Sequence, residues 1–376
     1  MIRKFTADNI FDGNKFTGAG HSIVCTSEGE ILAIENNCDN AEKYNGIIIP
    51  GFINCHCHLE LSNLKSQIKT GTGLVTFVQE VMKNRIACGE ELMYHTAQAM
   101  KDEGIVAVGD ICNTSDTANF KNNYPGILWR NFVEVSGFVD AGAEKRFNAA
   151  IEVARHFQNA YLTPHSPYSV SDKLFELISK ENNNYISIHN QESEEEDSFH
   201  VHKTGKFLEL YKNLGIDISK FEKSNQSSIH RWLPHFKKAK SVISVHNTFT
   251  SIEDIEFALA YKNLSFCICI KANIYIENKI PPIDSLRDSG CKIVLGTDSL
   301  ASNNTLSILS EIKEIKKHFP AVPIEEILQW ATKNGAEALG FETLGSFSGG
   351  KKPGIYLLQN AKDDFIPEEC KILKLI

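Results

Sequence analysis

The sequence has no long hydrophobic run. Its 376 residues contain no apolar stretch of the ~20 residues that a membrane-spanning helix needs, and the start, MIRKFTADNIFDGNKF, has no apolar core of a signal peptide. Basic residues are also in short supply, because 39 Lys and Arg against 47 Asp and Glu give a formal net charge of −8. Since phosphate backbones are bound by clustered Lys and Arg, we expect neither a nucleic-acid polymer nor a membrane as partner.

Three motifs that would indicate other classes of protein are also missing. None of the ten cysteines stands in a C-x-x-C pair, and several lie inside apolar runs. This pattern favours buried, reduced thiols over a disulfide scaffold and predicts a cytoplasmic protein. The absence of P-C-x-x-C argues against the cytidine-deaminase zinc fold. The absence of G-x-S-x-G argues against a serine-hydrolase elbow.

Eight short apolar runs, each followed by a stretch with helical periodicity, occupy the middle of the chain. Near-continuous apolar runs are typical of parallel strands that are covered on both faces. Eight of them alternating with helices predict an α/β fold, a (β/α)₈ TIM-type barrel, with an open doubly wound sheet as the alternative. The runs are GIIIPGFIN, GIVAVGDIC, GILWRNFVEV, NAYLTP, NYISIHN, SVISVHN, LSFCICIK and CKIVLGTD.

The two ends of the chain differ in composition from these eight apolar runs. HSIVCTSEGEILAIEN near the start and GSFSGGKKPGIYLLQN near the finish are rich in turn residues and strand formers. We therefore predict a small β-domain made from residues 1–46 and 342–376, beside a barrel over residues 47–341. A polar excursion at 193–240 exceeds an ordinary loop and suggests a lid or pocket wall.

Polar residues follow the apolar runs at five places. In a (β/α)₈ barrel the chemistry collects at the carboxyl ends of the strands, so these side chains are expected to meet on one rim. Each is a metal ligand or a proton carrier by type. They are His56 and His58 after the first run, His165 after the fourth, His189 and Glu192 at the fifth, His246 after the sixth and Asp298 after the eighth.

His56 and His58 form an H-x-H triplet. The number of such triplets expected by chance in a chain of this composition is roughly one half. Alternate residues of a strand point the same way, so these two imidazoles can share one cation, with Cys57 pointing back. The triplet at His200 and His202 has the same spacing in a helix-like stretch, where residues two apart do not face each other. We expect the first pair to bind metal and the second not to.

Three imidazoles and one carboxylate suit one divalent cation, Zn²⁺ as first choice and Fe²⁺ as second, with an open position for water. Such an ion lowers the pKa of its water toward neutrality, so a metal-bound hydroxide becomes available. Asp298 could accept the proton of that water, His246 could polarise the electrophile or position the hydroxide, and Glu192 could protonate a leaving group. The site is therefore expected to be hydrolytic.

Five motifs follow one another along nearly the whole chain: PGFINCHCH, HSPYSVS, HNQE, GTDSLASNN and GSFSGGKKPGIYLL. Together they resemble the amidohydrolase superfamily, in the branch that holds triazine hydrolases, guanine deaminases and the adenosylhomocysteine and aminodeoxyfutalosine types of nucleoside deaminase. The metal ligands that the resemblance implies are His56, His58, His189 and Asp298. The proton carriers that it implies are Glu192 and His246.

Two departures from the family pattern affect the substrate pocket. The family segment C-P-x-S-N appears as CIKAN, which ends in Asn273, and the acidic residue expected before Phe77 is missing. Glu60 or Glu80 could replace that acid, and for Glu60 the alternative is a plain ion pair. The fourth run ends in His165 where a bridging lysine would stand in a binuclear site, so one ion is expected. The predicted substrate-binding residues are Glu60, His165, Glu192 and Asn273.

The function predicted is hydrolytic deamination of an amino-substituted nitrogen heterocycle, a purine, a nucleoside or a similar small molecule, with release of ammonia. A protonated Glu192 near a ring nitrogen favours this reaction. Hydrolysis of an amide, a cyclic imide or a carbon–halogen bond by the same site is the alternative, because it passes through the same kind of tetrahedral carbon. For the oligomeric state, a homodimer is one possibility that the sequence leaves open.

Overall fold

The structure, a computed structural model, describes residues 1–181 and 184–376. Its strands and helices alternate through the middle of the chain. The strands are β1 (Ile2–Thr6), β2 (Asn9–Ile10), β3 (Ser22–Thr26), β4 (Ile31–Glu35), β5 (Glu42–Lys43), β6 (Gly46–Pro50), β7 (Phe52–Cys57), β8 (Ile105–Cys112), β9 (Leu128–Val135), β10 (Ala160–Pro164), β11 (Tyr185–Asn190), β12 (Ser241–His246), β13 (Leu264–Ile268), β14 (Ile293–Leu295), β15 (Ile355–Gln359) and β16 (Ile372–Lys374).

The helices lie between these strands. They are α1 (Leu74–Asn84), α2 (Glu90–Asp102), α3 (Ala118–Asn123), α4 (Ala143–Ala154), α5 (Asp172–Ser179), α6 (Glu194–His202), α7 (Lys206–Asn213), α8 (Ser228–Trp232), α9 (Ile252–Ala258), α10 (Ile270–Glu277), α11 (Ile283–Asp288), α12 (Ile308–His318), α13 (Ile324–Gln329) and α14 (Gly335–Leu339). Short 3₁₀ turns add Leu59–Leu64, Asp140–Gly142 and Leu233–Phe236.

Two parallel sheets of four strands form the centre, in the orders β10-β9-β8-β7 and β11-β12-β13-β14, which confirms the predicted α/β class. Backbone hydrogen bonds join the sheets at both edges. The amide of His189 donates to the carbonyl of His165 over 3.0 Å, and the amides of Thr297 and Asp298 donate to the carbonyl of His56 over 3.0 and 3.1 Å. Consequently the residues at the carboxyl ends of the first and last parallel strands lie side by side.

The apolar runs form strands because both of their faces are covered. Strands β7, β11 and β12 are buried at every position. Neighbouring residues of β12 serve different cores: Val242 belongs to the cluster that includes the helices, and Ile243 to a second cluster that is lined mainly by the strands. Full burial of one such side chain contributes about 1.5–3 kcal/mol, so the two clusters together fix the position of the strand ends.

The first apolar run, GIIIPGFIN, forms two strands instead of one. Strand β6 pairs antiparallel with β15, in the sheet β16-β15-β6-β2, while β7 begins the parallel array. Gly51 lies between the two strands. Only glycine fits there, because a Cβ would lie 2.4 Å from Val106 Cγ1 and 2.8 Å from the Pro353 carbonyl oxygen. A second terminal sheet has the order β4-β3-β1-β5. Residues of both terminal sheets share one buried apolar cluster, which includes Phe5 and Ile48.

The polar excursion at 193–240 contains α6, α7 and α8. Apolar side chains of α6 and α7 share a cluster with the segment that follows β7, for example Phe199 and Phe207 with Leu61 and Val75. The acidic run predicted as a solvated helix start begins α6, with Glu194 exposed but Glu196 buried. The excursion is therefore a packed helical layer.

All ten cysteines are free thiols, and eight of them are buried, as expected for a chain without a disulfide framework. No helix in the described parts of the chain combines the length and the apolar character needed to cross a bilayer.

Candidate metal centre

The structure brings the four predicted ligands together. His56 lies on β7 and His58 directly after it, His189 lies near the end of β11, and Asp298 follows β14. The Nε2 atom of His58 is 3.2 Å from that of His56 and 3.3 Å from that of His189. Oδ1 of Asp298 lies 3.7 Å from Nε2 of His56 and 3.4 Å from Nε2 of His58.

These spacings fit a single small cation. Zinc binds histidine nitrogen at ~2.0–2.1 Å, and tetrahedral ligands at that bond length are ~3.3 Å apart. The three imidazoles and the carboxylate are all more than nine-tenths buried. Nitrogen lone pairs crowded together in a buried place repel each other unless a positive charge lies between them. The residues present therefore fit one divalent metal ion.

The backbone of the last strand reaches His56 only because residue 296 is glycine. A Cβ at Gly296 would lie 2.8 Å from Cys267 Sγ and 2.9 Å from both Cys269 Sγ and His56 Cβ. Two residues later, Asp298 takes a left-handed conformation with φ of 57°. Such a conformation costs roughly 1–3 kcal/mol in a non-glycine residue, and strained residues of this kind cluster at active sites.

The hydrogen bonds around His189 define its tautomer. Its Nδ1 lies 2.9 Å from the carbonyl oxygen of His165, which can only accept, so Nδ1 carries the proton. The Nε2 atom then presents a lone pair toward His58. This is the form of imidazole that binds a metal.

His246 and Glu192 lie beside the four ligands. Nε2 of His246 is 3.6 Å from Oε1 of Glu192. Asn273 orients His246, because its amide nitrogen donates to Thr248 Oγ1 over 2.7 Å and its oxygen faces Nδ1 of His246 at 3.0 Å. Nδ1 therefore carries the proton of His246, and the buried Nε2 has no hydrogen-bond partner among the described residues.

Burial sets the charge states of the site. It opposes ionisation of Asp298, but the hydrogen bond with His56 and, at the low pH where the rings are protonated, the charges of His58 and His246 outweigh it and hold the pKa of Asp298 well below its usual value. Burial also lowers the pKa of the histidines, to about 3 for His189. The imidazoles are therefore neutral and the aspartate is ionised, as metal ligands must be.

Glu192 is in the opposite state. Burial, reinforced by the negative charges of Asp298 and Glu277, raises its pKa well above the usual value. Its side chain is 3 % exposed. The site therefore holds a carboxyl group that keeps its proton to higher pH than usual beside a carboxylate that can accept one.

The remaining predicted residues lie around this centre with partners of their own. Glu60 is buried and accepts hydrogen bonds from Arg85 Nη2 at 2.6 Å and from Asn113 Nδ2 at 3.0 Å, which matches the ion-pair alternative. Nδ1 of His165 is 2.6 Å from Ser169 Oγ. Asn273 supports His246, as described above.

The second H-x-H triplet lies on α6, away from these ligands. His200 is buried and neither of its ring nitrogens has a hydrogen-bond partner among the described residues, whereas His202 is exposed. The two rings point to different surroundings, and no cluster of possible metal ligands in the described part of the chain includes either of them.

Two polar residues at the centre escaped the sequence analysis. Glu134, near the end of β9, has Oε1 3.4 Å from Nδ1 of His189. The same rule that selected the histidines would have found it, because GILWRNFVEV places a carboxylate at the end of a strand. Ser302 was also missed; its hydroxyl donates to Oδ2 of Asp298.

An α/β protein with this buried set of three imidazoles and a carboxylate, next to the carboxyl group of Glu192, has a candidate site for metal-dependent hydrolysis. The model of the amidohydrolase family matches residues 47–370. The chain belongs to the amidohydrolase family, which confirms the predicted relationship.

Similar proteins agree with this assignment. An adenosine deaminase of Helicobacter pylori is 26% identical over 309 residues, which cover 78% of this chain and 75% of the relative. A 5-methylthioadenosine/S-adenosylhomocysteine deaminase of Dictyoglomus turgidum is 25% identical over 355 residues, 89% of this chain and 78% of the relative. The crystal structure of an aminofutalosine deaminase of Helicobacter pylori with methylthio-coformycin has a TM-score of 0.81 at 23% identity, covering 96% of this chain and 93% of that one. The family and these relatives bear out the predicted class, a hydrolase of C–N bonds.

Proposed function

We propose that the chain is a hydrolytic deaminase that binds one divalent metal ion and releases ammonia from an amino-substituted heterocycle of the purine type. The observation that carries this proposal is the set of ligand atoms on His56, His58, His189 and Asp298. Four pairs of these atoms are 3.2–3.7 Å apart. Zinc is the first choice and ferrous iron the second, because imidazole with carboxylate suits both. The names of the similar proteins support an adenine nucleoside as substrate.

When bound, an ion of this type ionises a ligand water near neutral pH and so supplies hydroxide. The residues of the chain perform the proton transfers. Asp298 is ionised and can accept a proton, and Nε2 of His246 presents a lone pair that Asn273 keeps aimed at the centre. Proton transfer by a positioned side chain of this kind contributes ~10²–10⁴-fold to a rate.

Glu192 favours deamination over hydrolysis of an amide or a cyclic imide. A ring that carries an amino group becomes a better electrophile when an adjacent ring nitrogen is protonated, and the buried carboxylic acid of Glu192 can give that proton. Hydrolysis of an amide or a cyclic imide needs no such acid beside a ring nitrogen. A chloro-substituted heterocycle would be activated by the same proton, so chloride release is measured beside ammonia release. The substrate would enter beside Glu192, with His165 and Glu60 as further candidates for contact.

We also propose that the two parallel sheets form a single closed (β/α)₈ barrel. Hydrogen bonds at both edges of the sheets support this closure. The small β-domain would then comprise residues 1–46 and 342–376, extended by β6, since β6 pairs with β15.

An ammonia-release assay with zinc-loaded protein tests the function. The panel holds adenosine, 5′-methylthioadenosine, guanine, an aminated pyrimidine and an aminated pterin, with a chlorotriazine and a cyclic imide as the alternative substrates. We expect ammonia from an adenine nucleoside, and a rate of release ~10²–10⁴-fold lower from a Glu192→Gln control. Release of chloride or opening of the imide without deamination, or no reaction with any compound, would overturn the proposal.

The metal content is tested separately by elemental analysis of the purified protein after reconstitution. One tightly bound ion per chain is expected. Two ions, or none, would contradict the mononuclear site.

A further inference from the structure

The ring of His189 has a second polar side, which faces away from the other ligands. Nδ1 on that side donates to the carbonyl of His165, and Oε1 of Glu134 lies 3.4 Å from the same nitrogen. The Glu134 side chain is 5% exposed, and its Oε1 has no hydrogen-bond partner among the described residues. A buried carboxylate oxygen is thus held directly behind a ligand.

A chain of polar contacts holds Glu134 in that place. Asn113 Nδ2 donates to Oε2 of Glu134 over 3.0 Å and to Oε1 of Glu60 over 3.0 Å. The amide group has two protons, so it can serve both carboxylates. Glu60 in turn accepts from Arg85 Nη2 over 2.6 Å. We call Arg85, Glu60, Asn113 and Glu134 the carboxylate chain.

The charges along the carboxylate chain are unevenly matched. Glu60 is paired with the guanidinium of Arg85, whereas Glu134 has no lysine or arginine partner among the described residues. A buried carboxylate is costly unless positive charge lies near it. The polar hydrogen of His189 Nδ1 lies within reach, and it becomes more positive when Nε2 binds a cation. Glu134 therefore gains its counter-charge when the centre is loaded.

We propose that Glu134 is a positioning residue that orients His189 and strengthens its Nε2 as a metal ligand, and that Asn113, Glu60 and Arg85 hold Glu134 in place. Carboxylates behind metal-binding histidines have this effect in other metal sites, where their loss costs ~10–100-fold in metal affinity or activity. The inference rests on the proposed function, since it takes His189 as a ligand. It also gives Glu60 a role as a link in the carboxylate chain.

Zinc affinity, measured by chelator competition on purified protein, tests this inference. Glu134→Gln keeps the shape of the side chain and removes its charge, so its zinc affinity should fall ~10–100-fold, with the melting temperature of the metal-free protein close to that of wild type. Asn113→Leu should weaken zinc binding in the same direction. The double variant should lose less than the two single losses combined, because both changes act through one contact.

Glu196→Gln is the matched control. Glu196 is also a buried glutamate, but it bonds Ser228 and contacts none of the four ligands, so its variant should bind zinc as wild type does. Equal weakening in Glu196→Gln and Glu134→Gln would overturn the inference. Unchanged affinity in Glu134→Gln would overturn it while leaving the proposed function intact, whereas a wild-type protein without any zinc affinity would overturn the proposed function itself.

A variant that keeps the charge covers the case in which Glu134→Gln does not fold. Glu134→Asp draws the carboxylate back by one methylene, away from Nδ1 of His189. Weaker zinc binding than wild type is expected, and equal binding would contradict the inference.

Discussion

The two H-x-H triplets differ in everything except spacing. His56 and His58 stand at the end of a strand, where Nε2 atoms 3.2 Å apart face one point together with His189. His200 and His202 stand on α6, where one ring is buried and the other exposed. The backbone beneath a pair of ligands decides whether they converge, because the side-chain period is two in a strand and 3.6 in a helix. A motif is thus informative only together with the element that carries it.

Replacing histidines in each triplet gives the largest expected contrast. His58→Ala should abolish metal binding and activity, because His58 Nε2 lies beside each of the other three predicted ligand atoms and hydroxide does not form without the ion. The double variant His200→Ala, His202→Ala should keep wild-type metal content and alter at most substrate affinity. Metal analysis of both proteins checks this. If the double variant lost its ion while His58→Ala retained it, the proposed centre would be wrong.

Two buried glutamates near the start of α6, Glu192 and Glu196, give a second contrast between the centre and α6. Glu192 faces the centre, so Glu192→Gln should lower turnover ~10²–10⁴-fold, because the amide cannot deliver a proton. Metal content should not change. Steady-state rates and elemental analysis of the same preparation provide the test, and wild-type turnover in this variant would show that another group supplies the proton.

Asn273 is expected to have a smaller effect on turnover. Asn273→Leu leaves Nδ1–H of His246 without its acceptor, and an unpaired buried group costs about 1–3 kcal/mol, which corresponds to ~5–150-fold in rate. The loss should appear in kcat rather than in metal content. An unchanged kcat would mean that His246 needs no support from Asn273.

Glu196, on α6, should affect stability and leave turnover alone. Burial, partly offset by the hydrogen bond from Ser228, raises the pKa of Glu196 to about 8. The folded state therefore keeps a proton that the unfolded state loses above pH ~4.5, and this group makes stability fall as the pH rises from there to about 8. Glu196→Gln removes that dependence.

Chemical denaturation of wild type and Glu196→Gln at pH 5 and pH 9 measures the effect. The variant should lose less free energy of unfolding between the two pH values than wild type does. Parallel pH profiles for the two proteins would show that Glu196 ionises freely in the fold.

The residues at the strand ends could be predicted because two regular patterns combine there. Apolar runs mark the strands, and parallel strands bring their carboxyl ends to the same side, so His56, His189 and Asp298 were expected to meet. Glu134 obeys the same rule, because GILWRNFVEV places it near the end of a strand.

The partners of Glu60 could not be predicted. Arg85 and Asn113 reach it from the loop after α1 and from the end of β8, and nothing in the local sequence indicates which distant groups a buried carboxylate will find. The division of GIIIPGFIN into β6 and β7 was also hidden, since an apolar run does not show which of two sheets each half joins. Such choices depend on tertiary packing, as at Gly51.

The backbone bonds from Thr297 and Asp298 to the carbonyl of His56 have a consequence for how the protein is made. A growing chain cannot assemble its centre until the eighth parallel strand has been synthesised and has docked against the first. An ion bound by ligands on both strands would then link the last strand to be synthesised to the first. At a free ion concentration of 100 times Kd, binding of the ion would stabilise the folded state by about 2.7 kcal/mol. Withdrawal of the ion should therefore loosen the molecule first along this junction, where hydrogen exchange would reveal it.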